Sequence, residues 1–289
     1  MTALRETGRA KLNLTLEVLG RRADGFHELR SLVAFAGLGD DVGLAPQGAL
    51  ALEVEGPFAQ ALGGDNLILR AAKAALDTVP NLRLGRFRLV KRLPVAAGLG
   101  GGSADAAAAL RLIAHANDGA LTEPALAELA PKLGSDVTVC LESQPALITG
   151  RGEKVELVSG FPSCGVLLAN PGAQLSAASV YAELGAGSLP APARYEAENL
   201  DFAGEFERLI AYALPRGNDL ERPATQLVPE IREVLAALLA LTGVRLARQS
   251  GSGPTCFALF ATEEDARRAA ATLAAEHPNW WVAATTLGV

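Results

Sequence analysis

The sequence predicts an α+β protein built as two domains. Three observations carry that expectation. At 289 residues the chain suits one large or two ordinary domains. Apolar residues make up 49% and charged residues 20%, which supplies ample material for a packed core. Segments that alternate with period two are mixed with helix-forming segments, without regular strand–helix–strand repetition. That mixture favours separate α and β layers over a doubly wound sheet.

The elements follow in order. "AKLNLTLEVL", residues 10–19, alternates: Leu12, Leu14, Leu16 and Val18 point one way, Lys11, Asn13, Thr15 and Glu17 the other. It reads as one strand with a polar face that is exposed or lines a cleft. "RRADGFHE" is a loop with Asp24-Gly25 at its turn. "LRSLVAFAGL" and "ALALEVEG" read as strands, and a helix is expected from Asp65 to about Thr78. "RFRLVKRL", residues 86–93, alternates again as a strand. Ser103 is a good N-cap for the alanine-rich helix expected over 103–117, with another helix over 123–132. "DVTVCLESQPALITG", residues 136–150, reads as a strand pair around a Pro-containing turn. The loop-rich "TGRGEKVELVSGFPS" places the boundary near 155, giving domains 1–155 and 156–289. In the second half, "CGVLLANP" is a buried strand and residues 176–184 a short helix. Residues 185–199 have the composition of a linker or lid. Helices near 201–213, 221–227 and 229–241, a glycine turn feeding a strand, a helix over 263–276 and a strand over 281–286 complete the chain.

Composition excludes several classes. The formal net charge of −6 argues against a nucleic-acid partner. No apolar run reaches the ~18 residues of a membrane span, and "MTALRETGRAKLN" has no apolar signal-like stretch. Cys140, Cys164 and Cys256 are odd in number and far apart, which disfavours a disulfide framework or zinc site and suits a reduced, cytoplasmic protein.

The chemistry concentrates in "LPVAAGLGGGSADAAAAL", residues 93–110. Four glycines in five residues sacrifice backbone order at roughly 0.5–1 kcal/mol each. The order strand, glycine loop, helix start presents free N–H groups and the positive helix end, which suit a phosphate. Three readings stand: a tight turn, a dinucleotide loop beginning Gly98-x-Gly100, or a nucleoside triphosphate loop that is not of the Walker type. Lys11 with Asn13, and Asp136 in "KLGSDVTVCL", are further candidates, each equally open as an ordinary strand lysine and a turn aspartate.

Together, "RAKLNLTLEVLGRRADGFHELRSL", "LPVAAGLGGGSADAAAAL" and "SGSGPTCFALF", in that order and spacing, resemble the three motifs of the GHMP small-molecule kinases. "DNLILRAAKA", "GSDV" and "GNDLE" fit as well, so the resemblance runs nearly end to end. It implies a two-domain fold with the active site in the inter-domain cleft, and ATP with Mg²⁺ as cofactors. It places Pro94, Gly98, Gly100, Gly101, Gly102 and Ser103 around the phosphates, and Asn66 and Lys91 near the adenine. It makes Asp136 and Lys11 the catalytic pair and leaves Ser103 the candidate metal contact. The "DGFH" turn is similar to the branch that phosphorylates the 2-hydroxyl of a methylerythritol carrying a cytidine diphosphate group. By that similarity His27 reads the cytosine, Phe26 (where the branch often has Tyr) and Tyr181 cover its faces, and Asn13 contacts the erythritol side. A homoserine- or mevalonate-type kinase should lack that turn, a non-catalytic nucleotide sensor should lose Lys11 or Asp136, and a dehydrogenase should bind a nicotinamide cofactor.

Overall fold

A computed structural model describes residues 4–189 and 198–288. The first half runs β1 (Leu4–Asn13), β2 (Glu17–Arg21), β3 (His27–Ala45), β4 (Ala51–Glu55), α1 (Leu67–Thr78) and β5 (Arg86–Val90). Then come α2 (Gly101–Ala116), α3 (Glu123–Leu133), α4 (Ser135–Glu142), β6 (Ala146–Gly150) and β7 (Lys154–Leu157). The rest is β8 (Cys164–Asn170), α5 (Ala177–Leu184), α6 (Phe206–Ala213), α7 (Glu221–Leu227) and α8 (Glu230–Ala240), closed by β9 (Leu246–Gln249), β10 (Cys256–Phe260), α9 (Glu263–Glu276) and β11 (Trp281–Leu287). No helix among the described residues is long and apolar enough to cross a membrane. All three cysteines are buried and free.

The α+β class is what the sequence led one to expect. The chain divides into two compact units, each drawing on more than one stretch of sequence. One unit takes residues up to Ala10, Leu38–Val95 and Gly100–Ser143; the other takes Lys11–Gly37, Ala96–Leu99 and everything from Gln144 onward. β1 and β3 each give residues to both. Composition marks loops, and it is blind to a strand that is shared.

In the first unit β4 runs parallel to β5, and β5 antiparallel to residues 41–45 of β3. Helix α2 packs against α1 and α4. Its residues Ala104 to Leu110 are buried without a break. A helix that is apolar on every side belongs inside a core, and alanines let its neighbours approach closely. In the second unit the strand order is β3–β11–β8–β10–β9, with β6 pairing residues 29–33 of β3. Its core gathers Leu16, Leu167, Val180, Leu220, Ile231, Phe260 and Leu273.

Three expectations about local structure are corrected. Residues 135–142 form helix α4, not a strand. The β-branched "DVTV" favours strands only weakly, and packing on α2 and α3 overrides it. The N-cap of α2 is Gly100, in the left-handed conformation, not Ser103, which lies inside the first turn. The strand expected over 10–19 breaks after Asn13 and resumes at Glu17. There the Leu14 N–H donates to Leu32 O at 2.8 Å and the Leu32 N–H to Thr15 Oγ1 at 3.0 Å. Of the linker expected over 185–199, residues 190–197 lie outside the described residues. The part before them is tied down: Arg21 exchanges backbone bonds with Gly187 and Leu189, both 2.8 Å.

Candidate active site

Lys11, Asn13 and Thr15 are buried, so the polar side of the first motif is not a solvent face. Buried polar groups are held by hydrogen bonds, and these bonds join three distant stretches of the second unit. The Lys11 N–H donates to Leu99 O at 2.8 Å, beside the glycine loop. The Asn13 N–H donates to Ser250 Oγ at 3.3 Å, and the Ser250 hydroxyl donates to Gly98 O at 2.9 Å. Thr255 N–H reaches Ala97 O at 3.2 Å. The Asn13 side-chain amide donates to Ser31 Oγ at 2.8 Å, which fixes its orientation and turns its oxygen toward Gly251. One hydroxyl, that of Ser250, thus links the strand that carries Asn13 to the entry of the glycine loop.

The "GND" triplet sews the same region together. Leu16 exchanges backbone bonds with Gly217 and Asp219, both 2.9 Å. The Asn218 side chain donates to Gln249 O at 2.9 Å and Gly251 O at 2.8 Å. Ser250 and Asn218 were not singled out from the sequence. They lie inside quoted motifs, "SGSGPTC" and "GNDLE", but nothing local separates a hydroxyl that bridges two backbones from one that faces water.

The glycines of the loop have different reasons. Gly98 has φ +74°, and a Cβ there would stand 2.3 Å from Ser250 O. A side chain at 98 is therefore excluded by backbone alone. Gly101, in the first unit, has ordinary φ. A Cβ there would point inward, 3.2 Å from Lys91 Nζ. Gly102 is exposed and its Cβ would meet only Leu67 Cδ1, at 3.4 Å. Pro94 is half-buried at the loop entrance. The first N–H groups of α2 have no acceptor within the helix.

Also in the first unit, Ser103 lies beside the start of α4, its Oγ 3.9 Å from a Cβ at Gly134. Asp136 occupies the first turn of α4. An acidic side chain there complements the positive helix end. Asn66 caps α1, its Oδ1 accepting from the Ile68 N–H at 2.9 Å, and Leu67 sets it next to Gly102. Lys91 does not present its ammonium to solvent. It is buried, bonded to Asp40 Oδ2 at 2.5 Å and Asp105 Oδ2 at 2.7 Å. Burial works against its charge, but the two carboxylates outweigh that and raise its pKa. Asp40 and Asp105 were missed by sequence reasoning; the signal was there in Asp105, a lone carboxylate inside an apolar helix. A cavity of about 460 Å³ along β1, β3 and β5, lined by Arg5, Asp41, Arg86 and Arg88 among others, contains none of the expected site residues.

On the second unit, the turn after β2 is pinned by Asp24, which accepts from Arg22 and from the Phe26 N–H at 3.1 Å. His27 stacks on Tyr181, centroids 4.6 Å apart and planes at 21°. Burial first, and then the Arg21 charge, lower the His27 pKa, favouring the neutral ring that both donates and accepts. Phe26 is 47% exposed, with the Arg151 guanidinium 4.8 Å from its centroid. Tyr181 is therefore brought to His27, and Phe26 stands apart with an open face.

Known proteins resemble this chain over its whole length. The family description "GHMP kinases N terminal domain" matches residues 66–144, and "GHMP kinases C terminal" matches 198–279. A 4-diphosphocytidyl-2-C-methyl-D-erythritol kinase of Rhodopseudomonas palustris (strain CGA009) is 50% identical, covering 98% of this chain and 97% of its own. A crystal structure of a 4-(cytidine 5'-diphospho)-2C-methyl-D-erythritol kinase superposes with TM-score 0.78 at 33% identity, over 99% of this chain and 100% of that one. A homoserine kinase from Cytophaga hutchinsonii superposes at TM-score 0.71 over 99% and 94%, but with 17% identity it shares the fold alone.

Proposed function

The chain belongs to the GHMP kinases, and from that premise we propose that it transfers the γ-phosphoryl group of ATP to the 2-hydroxyl of 4-diphosphocytidyl-2-C-methyl-D-erythritol. The observation that carries the substrate is the 50% identity, over 98% of the chain, to a relative of that printed name. The pinned "DGFH" turn with its His27–Tyr181 stack supports it independently as a place for a planar base. We take the reaction to be cytoplasmic, a reading supported by three buried, free cysteines.

Phosphoryl transfer asks the protein mostly for position and charge neutralisation. The free N–H groups at the start of α2 would hold the phosphates, with Gly98 and Gly100 bending the chain round them. Asn66 would face the adenine with the amide nitrogen that capping leaves over. Asp136 would orient the acceptor hydroxyl and take its proton. Lys11, buried at the end of β1 and bonded through its backbone to the glycine loop, would neutralise charge on the transferred group. Asn13, whose orientation Ser31 fixes, would accept from the erythritol side. His27 would read the cytosine edge, while Tyr181 and Phe26 offer ring faces. Mg²⁺ supplies neutralisation of the triphosphate when bound. Among the described residues no three His, Cys, Asp or Glu side chains converge. The Ser103 hydroxyl, in the opening turn of α2, would be the protein's contact to the ion.

The test is ADP release from Mg-ATP with the cytidyl compound, its uridyl analogue, mevalonate and homoserine. Turnover with the cytidyl compound alone is expected. Turnover with another alcohol would keep the kinase and replace the substrate, and ATP binding without any turnover would make the chain a sensor.

A further inference from the structure

The glycine loop is a poor candidate for self-imposed order. Ala96, Gly98 and Gly100 all have positive φ, at 53°, 74° and 63°. A segment of this kind holds one shape only if its ends are fixed. Its start on the second unit is clamped by Ser250, as described. Its two flanks on the first unit, the end of β5 and the opening of α2, are fixed by something else.

That something is ionic and buried. Asp40, on β3, is fully buried. Its Oδ1 accepts from the Arg92 N–H at 2.6 Å and the Leu93 N–H at 2.9 Å, which anchors the strand leading into the loop. Its Oδ2 meets Lys91 Nζ. The same ammonium reaches Asp105, one turn inside α2 and 14 positions further along the chain. The Lys91 backbone is held as well, its N–H donating to Glu55 O at 2.7 Å. Lys91 Nζ also lies directly under the first residue of α2, at 3.2 Å from a Cβ position on Gly101. Entrance and exit of the loop are therefore tied to one another and to β3 through a single side chain.

We propose that Asp105 is a positioning residue for the nucleotide: acting through Lys91 and Asp40, it sets where the opening turn of α2 presents its N–H groups to the phosphates. The inference rests on the reading above that this turn holds the triphosphate. It gives the Lys91 ammonium a structural task beneath the loop.

Energetics favour position over stability as the purpose. Burying an ammonium with two carboxylates costs desolvation that their attraction often fails to exceed, so apolar replacements are frequently as stable. Two carboxylates against one cation also leave surplus negative charge. Burial and the Asp40 charge push the Asp105 carboxyl up, against the pull of Lys91, to about 7. Its Oδ1 has no hydrogen-bond partner and stands where a Cβ on Gly8 would come within 2.7 Å. A plain core position has no use for such a group.

The test is steady-state kinetics and ATP calorimetry on the full chain, comparing Asp105→Ala and Asp105→Asn with the wild type. Asp105→Ala is expected to raise the KM and Kd for ATP about tenfold and to leave the acceptor KM within about twofold; Asp105→Asn, which keeps an oxygen for Lys91, should return ATP to within about threefold of wild type. An unchanged ATP constant in Asp105→Ala, an equal rise in both KM values, or an Asn variant as impaired as Ala would each overturn the proposal. Should Asp105→Ala fail to fold, Asp105→Glu carries the test: the extra methylene displaces α2, so ATP binding must weaken selectively, and unaltered ATP binding overturns the idea. A wild type that binds ATP but ignores the cytidyl compound would remove the substrate reading alone, because the ATP Kd still tests the tie. A wild type that does not bind ATP would overturn both.

Discussion

Asp136 stands in the first turn of α4, at the positive end of the helix. If it takes the acceptor proton, Asp136→Asn keeps the shape and removes the base. Turnover should then fall at least ~10²-fold, read as kcat at saturating substrates; near-normal kcat would remove Asp136 from the mechanism. His27 is the complementary case, a residue for recognition. It is half-buried, with a lowered pKa, and stacked on Tyr181. His27→Ala should raise the KM for the cytidyl substrate about tenfold while moving the ATP KM less than about twofold. Equal shifts would mean that it does not read the base. Both residues were legible in the sequence only through the motifs around them. Lys91 shows the limit of that method. Its motif position implied a place near the adenine and gave no sign that its ammonium is buried between Asp40 and Asp105.

At the level of elements, the glycine loop and the strand break at residue 14 are the informative features. The glycine cluster stood out in the composition, with a tight turn, a dinucleotide loop and a triphosphate loop all open as readings. Which glycine does what was not recognisable, because the reason for Gly98 sits at Ser250, 152 positions away. Gly98→Ala must adopt an unfavourable φ and push a Cβ into a backbone oxygen. It should destabilise the protein by about 2–4 kcal/mol, enough to lower Tm by several degrees in thermal unfolding. An unchanged Tm would mean that the clamp between the loop and the third motif is loose. Helix α4 taught the same lesson from the other side: a β-branched run took a helical form because α2 and α3 offered it a surface.

For the whole molecule, the two compact units do not correspond to two halves of the chain. The second unit draws Lys11–Gly37 and Ala96–Leu99 from the first half. β11 meets residue 36 of β3, and β6 meets residues 29–33 of it. A fragment of residues 156–289 lacks all of these partners. It should therefore fail to fold, giving poorly dispersed amide proton NMR signals. A well-dispersed spectrum would mean that residues 156–289 fold without those partners, as a boundary near 155 expects.

The sequence by itself determined the family, the α+β class, most of the elements and the stretches in which chemistry resides. It could do so because turn chemistry, alternation and motif spacing are local properties of a chain. Only the tertiary structure decided which polar groups are buried and what they hold. Ser250 between Asn13 and Gly98, Asn218 under the third motif, and Lys91 between Asp40 and Asp105 are all contacts between distant residues. Each exists because a buried polar group must find its partner within the fold, and the identity of that partner is fixed by how the strands and helices pack.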